Sequence, residues 1–340
     1  MRYKYNVIVI AIASVCIIVA YNLHSIYYQP TFLINTHSKR IYITPQTTFN
    51  DLCKDFYNNG FVSSISGISG FKILWRVKHG KIRQGSYMIK TNSTNIDVIS
   101  KLSRGNQDPI SVRIPQLDTK EQFAEYMSQQ LMLSKQDLLK TLNNDEFLKT
   151  LDTDSKHVMN KLISNTYEYY WNISPKQLIK KLIEEYNVFW NAKKLRLASA
   201  IGMTPEQVMI LASIVEKEIA NNDEAPIIAG VFINRLKKHM RLESDPTTLY
   251  VIKYEYNNRS PSKNYHLIKS TYNTYYIRGL PHGVITIPSI TCINSVLNYA
   301  KHDYLYFVVL GNSKHHVFSR TYDQHIKYVR KYKKMKRNYK

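Results

Sequence analysis

Cysteine is scarce in this chain, with three in 340 residues. Cys16, Cys53 and Cys292 stand far apart, and no C-x-x-C pair or Cys/His ligand spacing occurs. That excludes a disulfide framework and a structural zinc site, and no metal or cofactor is expected. Cys53 and Cys292 are expected as buried thiols; a bridge between them would need an oxidising compartment. Acidic residues are also few: 25 Asp and Glu stand against 47 Lys and Arg, a formal net charge of +22. Such a surplus points to an anionic partner or surface, or follows from a composition rich in Lys, Asn, Ile and Tyr together. Zinc-finger spacing, an RNP-like segment and a homeodomain-like segment are all missing, so nucleic acid is not expected as that partner. An internal repeat is missing too.

What is present begins with Val7-Ile-Val-Ile-Ala-Ile-Ala-Ser-Val-Cys-Ile-Ile-Val-Ala-Tyr21, an uncharged run that follows Arg2 and Lys4. With its flanks it reaches the lower limit of about 17 residues for a membrane-spanning helix. The basic flank keeps the N-terminus in the cytoplasm and sends the rest across. A cleaved signal peptide has a shorter apolar region and a small-residue cleavage site, and neither is found here. A lipoprotein reading of Ala13-Ser-Val-Cys16 fails because Val precedes the Cys. The resulting division is 1–4 cytoplasmic, 5–23 transmembrane helix and 24–37 linker.

The fold class expected beyond the anchor is α+β: a small α+β module over 38–110, a helical bracing region over 111–200, a mixed α/β domain over 201–330 and a basic tail over 331–340. Arg40–Ile43 and Gly85–Ile89 alternate as strands do, and Thr48–Phe56 and Asn95–Leu102 read as capped amphipathic helices. Glu121–Leu133, Gln136–Leu148 and Pro175–Trp190 read as further helices.

The most informative stretch is Leu211-Ala-Ser-Ile-Val-Glu-Lys-Glu-Ile219. Thr204-Pro205-Glu206-Gln207 signals its helix start, with an N-cap Thr, a Pro at the first position and a capping-box Gln. Val208, Leu211, Ala212, Val215 and Ile219 then form one apolar stripe, which predicts a half-buried helix. Glu216 and Glu218 fall on opposite shoulders of the stripe, roughly 160° apart. They cannot face each other across one sugar bond, so at most one acts as an acid.

Further blocks follow: Val231-Phe-Ile-Asn-Arg-Leu236, Leu242-Glu-Ser-Asp-Pro-Thr247, Tyr272-Asn-Thr-Tyr275, Gly279-Leu-Pro281, Tyr304-Leu-Tyr-Phe-Val308 and His316-Val-Phe318. In order and spacing, these blocks with A-S-I-V-E-K-E resemble the endolytic murein transglycosylases, the MltG/YceG-like family. The resemblance is strong over about 205–325 and looser over about 38–200, where Gln84-Gly-Ser-Tyr87 and Asn165-Thr-Tyr167 fit comparable segments. It implies a membrane-anchored enzyme whose catalytic part lies outside the cytoplasmic (inner) membrane, in the periplasm. It also implies a LysM-like, peptidoglycan-binding module over 38–110. The implied reaction is lytic cleavage between N-acetylmuramic acid and N-acetylglucosamine in nascent glycan strands, leaving 1,6-anhydro ends and setting strand length beside glycan polymerases or penicillin-binding proteins.

In that reaction one glutamate suffices, because the sugar's own C6 hydroxyl is the nucleophile. The resemblance selects Glu216 as the acid/base and leaves Glu218 to a structural hydrogen bond or salt bridge, or to substrate contact. Asn234, Arg235, Glu243, Asp245, Thr247, Tyr272, Asn273 and Tyr275 complete the candidate substrate-binding set. Arg235 suits a carboxylate or an acetamido oxygen, or an internal ion pair. Glu243 stands where the family has Gln, and would raise the Glu216 pKa if close. Asp245 is read as capping a short helix at Pro246, and the tyrosines as sugar-stacking faces or packing residues. His315 and His316 lack a third ligand for a metal. The alternatives are a muramidase, which would leave reducing ends, and a non-catalytic wall-binding scaffold.

Overall fold

The computed structural model describes residues 2–259, 264–309 and 315–338, and divides into two compact units. The first comprises Met1–Ser111 with Glu168–Ile173, the second Val112–Tyr167 with Ser174–Lys340. The α+β class holds, and no motif or composition shift marks residues 168–173 as part of the first unit.

In the first unit α1 spans Arg2–Tyr28, and its Tyr5–Tyr28 stretch is long and apolar enough to cross a membrane. The segment expected as a linker therefore carries the last turns of this helix and then β1 (Pro30–Phe32). There follow β2 (Ser38–Ile43), α2 (Phe49–Asn58), α3 (Ile65–Val77), β3 (Gly85–Lys90), β4 (Ser93–Thr94) and α4 (Asn95–Arg104). Strands β2 and β3 pair antiparallel from Ser38↔Lys90 to Ile43↔Gly85, and β1 pairs antiparallel with β4. Thr48 and Thr94 close full capping boxes with Asp51 and Asp97, so both expected helices start where their sequence signals stand. Phe32, Phe56, Phe71, Leu52, Tyr87 and Leu102 form the core between helices and strands. Cys53 is buried there as a free thiol, as Cys292 is in the second unit.

The second unit is mainly helical. Strands β5 (Ile110–Arg113) and β6 (Thr166–Tyr169) each cross the division in sequence, and α5 (Lys120–Gln130), α6 (Lys135–Leu142), α7 (Asp145–Lys149), α8 (Pro175–Phe189) and α9 (Ala192–Ala200) belong to the second unit. The helix expected over Gln136–Leu148 breaks at Asn143, and Asn144 caps α7 with its side chain on the Phe147 amide. Then follow α10 (Pro205–Glu218), α11 (Ala225–Lys237), α12 (Asp245–Tyr254), α13 (Ile290–Leu297), β7 (Tyr306–Val309), β8 (His316–Ser319) and α14 (Tyr322–Asn338). The expected basic tail is the end of α14, with residues 339 and 340 outside the described residues. Among its described residues, the region expected as mixed α/β holds one antiparallel pair, β7 with β8, centred on Phe307↔Phe318.

Helix α10 starts at the Thr204 capping box, as its sequence signals. It is not half-buried: every residue from Val208 to Val215 lies in the core, packed by α11, α12 and α13. Ser213 is the one polar residue in that run. Its hydroxyl donates to the Ile210 carbonyl at 2.7 Å and accepts from the buried Ile285 amide at 3.1 Å. Replacing Ser213 with Ala orphans that amide and is expected to destabilise the protein by about 1–3 kcal/mol. Urea unfolding of the detergent-solubilised chain measures this, and an unchanged midpoint would show the bond to be dispensable.

Candidate active site

The last turn of α10 places its two glutamates in different surroundings. The Glu216 carboxylate accepts from the Ser289 amide (3.0 Å) and hydroxyl (2.5 Å), and from Gln116 Nε2 (3.2 Å). Ser289 is the N-cap of α13. Glu216 is thus a brace that ties α10 to the start of α13. Glu216, expected as the acid/base, does not line the cleft that holds Glu218, Arg235, Glu243, Asp245 and Tyr275.

Glu218 is the final residue of α10, where Ile219 turns to extended backbone. It faces a cleft of about 280 Å3 lined also by Arg235, Leu242, Glu243, Asp245, Tyr275, β7 and α14. The residue keeps part of its surface, yet burial of its carboxyl is the main reason that its pKa is pushed up to about 7. The Ser244 hydroxyl, donating at 2.5 Å, pulls the other way; Asp245 raises the value and Arg235 lowers it. The negative end of the α10 dipole also disfavours a charged carboxylate at this position.

The other two carboxylates of the cleft are engaged. Asp245 accepts from the Tyr275 hydroxyl at 2.7 Å. The α12 N-cap is Ser244, whose hydroxyl serves Glu218, so Asp245 is not the cap that its place before Pro246 suggested. Glu243 meets Arg235 Nη1 at 3.1 Å. It adopts φ 50°, uncommon for a residue with a side chain. Arg235 is buried; it donates through Nε to the Leu305 carbonyl and through Nη1 to the carbonyls of Arg241 and Leu242, and lies 5.0 Å from the Tyr306 ring centroid. It therefore ties β7 to the Leu242–Ser244 segment while presenting charge to the cleft.

Three further candidates form the frame and not the cleft. Asn234 donates to the carbonyls of His302 and Tyr304. Thr247 is buried and bonds the Ser244 carbonyl and the Thr274 hydroxyl. Asn273, also buried, donates to Ile268 O and accepts from Thr248 and the Tyr275 amide. The Tyr272 ring lies tilted against that of Tyr250, with centroids 5.0 Å apart, and does not line the cleft. Expected as substrate-binding residues, Asn234, Thr247 and Asn273 direct these polar atoms to the backbone and to neighbouring side chains. His315 and His316 both contact Glu224, at 3.3 and 2.7 Å.

Sequence reasoning missed Ser244, Tyr306, Tyr322 and His325. Ser244 lies inside the L-E-S-D-P-T motif, flanked by Glu243 and Asp245, whose acidic side chains are the more obvious candidates. The His325 ring lies 5.3 Å from that of Tyr306, and its Nδ1 is buried with no hydrogen-bond partner among the described residues. Burial, with Arg235 adding to it, lowers the pKa of this imidazole, while Glu243 opposes. A larger cavity of about 650 Å3 is lined by Glu206, Gly279, Leu280 and Pro281 among others. Its carboxylate accepts from Asn160 at 2.6 Å. Size favours that cavity, but the chemistry of a desolvated, protonatable acid favours the smaller one.

A family model described as YceG-like family matches residues 41–331. The endolytic murein transglycosylase of Bacillus subtilis (strain 168) is 27% identical over 299 residues, covering 83% of this chain and 79% of that protein. The endolytic murein transglycosylase of Streptococcus pneumoniae serotype 2 is 27% identical over 255 residues; the match covers 67% of this chain and 46% of that protein, about half its length. The crystal structure of a yceG-like protein from Listeria monocytogenes superposes with a TM-score of 0.58 at 25% identity, covering 86% of this chain and 98% of that one.

The Glu218 pKa has a consequence for stability. A carboxyl raised from 4.5 to about 7 favours the fold fully below pH 4.5, and that contribution is lost as pH rises through 7. Glu218→Gln removes the buried charge, and is expected to stabilise the fold by about 2–3 kcal/mol at pH 8 and hardly at all at pH 4.5. Urea unfolding of both proteins at the two pH values measures this; an equal difference at both would refute it.

Proposed function

The chain belongs to the YceG-like family, and on that premise we propose that it is a peptidoglycan lytic transglycosylase with Glu218 as its acid/base. The observation that carries the assignment is the single desolvated carboxyl, held by Ser244, in a cleft whose other two carboxylates are engaged by Tyr275 and Arg235. The names of the bacillar and streptococcal relatives support the substrate and the reaction class.

The proposed reaction needs no second acid. Protonated Glu218 gives its proton to the glycosidic oxygen as the bond from C1 of N-acetylmuramic acid breaks. The C6 hydroxyl of the same sugar attacks C1, and the Glu218 carboxylate takes the hydroxyl proton. The products are a 1,6-anhydro end and a free 4-hydroxyl, with no water consumed. Ser244 fixes the rotamer of the acid. Tyr275, Tyr306 and Tyr322 offer faces for sugar C–H surfaces. The Nδ1 of His325, without a partner among the described residues, is suited to a sugar hydroxyl or acetamido group.

The apolar α1 behind Arg2 and Lys4 supports a single-pass anchor with the N-terminus in the cytoplasm and the catalytic unit outside. The first unit's β2–α2–α3–β3 order, with a polar groove of about 530 Å3 lined by Arg83, Gln84, Arg104 and Asn172, supports a LysM-like glycan-binding module. Endolytic cleavage close to the membrane would act on nascent strands beside glycan polymerases and end their elongation.

Muropeptide mass spectrometry after digestion of purified wall tests the assignment. Anhydro ends are expected from the wild type and from Glu216→Gln, with Glu218→Gln slowed by about 10²–10⁴-fold. Anhydro ends from Glu218→Gln with none from Glu216→Gln would return the acid to Glu216; reducing ends would make the enzyme a muramidase. Because the acid acts protonated, the wild-type rate is expected to fall on an alkaline limb centred near pH 7.

A further inference from the structure

The first unit carries an apolar and basic helix face that the proposed chemistry does not use. Helix α3 buries Ile68, Phe71, Leu74 and Trp75 in the core. Its opposite face leaves Ile65 72%, Ile73 50% and Val77 58% exposed, with Ser69 completing the i, i+4 ridge. Lys72 and Arg76 stand exposed on the neighbouring ridge, and Lys78 follows at the helix end. Between Asp55 and Asp97 there is no acidic residue, while Lys72, Arg76, Lys78, Lys81, Arg83 and Lys90 all fall there.

The position of this helix is set by α1. Ile26 lies so close to Gly70 of α3 that a Cβ on that glycine would sit 3.3 Å from it. The buried Asn95 of α4 donates to the Ile26 carbonyl at 3.0 Å. The end of α1 is thereby fastened to α3 and α4. A hydrocarbon layer of about 30 Å takes up about 20 helical residues at 1.5 Å each. Counted from Tyr5, the first residue of the apolar span, that layer ends near His24. Ile26, Tyr27 and Tyr28 then fall at headgroup depth, where tyrosines are favoured, and α3 is fixed at the same level.

We propose that α3 lies in the headgroup layer of the bilayer that α1 spans. Ile65, Ile73 and Val77 reach the acyl boundary, and Lys72, Arg76 and Lys78 meet anionic lipid phosphates. The proposal rests on the reading of α1 as a spanning anchor. An apolar ridge flanked by cations and free of acids is the pattern of an interfacial helix, and a face continuous with the anchor needs no other partner to cover it. The contact would hold the first unit against the membrane and limit its swing about the anchor.

The test uses the full chain in vesicles, with Cys16 replaced by Ser and one new cysteine carrying an environment-sensitive fluorophore. Ile73→Cys probes the face; Val188→Cys, 74% exposed on α8, is the reference. At position 73 the emission is expected to be blue-shifted and several-fold more quenched by headgroup-proximal spin-labelled lipid than at 188. Lys72→Glu with Arg76→Glu should reduce that quenching more in phosphatidylglycerol vesicles than in phosphatidylcholine. A label at 73 as wet as at 188, in vesicles that retain the chain through an alkaline carbonate wash, overturns the α3 proposal alone. Release of the chain by that wash overturns the anchor and the proposal together. A blue shift that persists in detergent without lipid quenching assigns the face to a second copy of the chain and also overturns it.

Discussion

The hydrogen bond from Ser244 to Glu218 joins the core helix α10 to the loop that shapes the cleft of the second unit. Helix α10 delivers Glu218 to the boundary between core and cleft, where its carboxyl has lost water and meets the unfavourable end of the helix dipole. Both effects favour the neutral acid. One hydroxyl donor is enough to fix a neutral carboxyl, whereas a buried carboxylate would need several donors or a cation. Arg235 is the cation nearby, but Glu243 and three backbone carbonyls already occupy it.

The remainder of the site is a frame that holds Ser244 in place. Its amide donates to the Thr274 hydroxyl, its carbonyl accepts from Thr247, and these two threonines bond each other. Asn273 fixes the next segment by donating to Ile268 and accepting from Thr248. The left-handed backbone at Glu243 persists because Arg235 holds its side chain and Thr274 its amide. The motif residues of L-E-S-D-P-T and Y-N-T-Y are thus mostly devoted to each other, and only Ser244, Asp245, Glu243 and Tyr275 turn toward the cleft or its acid.

Much of this was legible in the sequence, and the part that was not has a physical reason. Helix starts were readable because capping is local: Thr48, Thr94, Ser174 and Thr204 each signal within four residues. The choice between Glu216 and Glu218 was not readable from periodicity, since a helix buried on all sides has no shoulder distinct from its stripe. What separates them is tertiary: Ser289 stands 73 positions beyond Glu216, and Ser244 stands 26 beyond Glu218. Helix α3 is not legible in the sequence for a different reason. Its Ser-Gly repeats lower helix propensity, and its stability comes from Phe71, Leu74 and Trp75 in the core.

The burial of Glu218 also bears on how one residue can fill two roles. An acid that donates a proton and then recovers one must be present in its protonated form at the start and be a competent base afterwards. With an ordinary value near 4.5, about 0.3% of the acid would be protonated at pH 7; near 7, about half is. Desolvation therefore supplies on the order of a hundredfold in the population of the working form, before any effect of geometry. Engaging Asp245 with Tyr275 and Glu243 with Arg235 serves the same end. Both contacts occupy carboxyls that could otherwise activate water, which fits the proposed reaction, in which the substrate supplies the nucleophile.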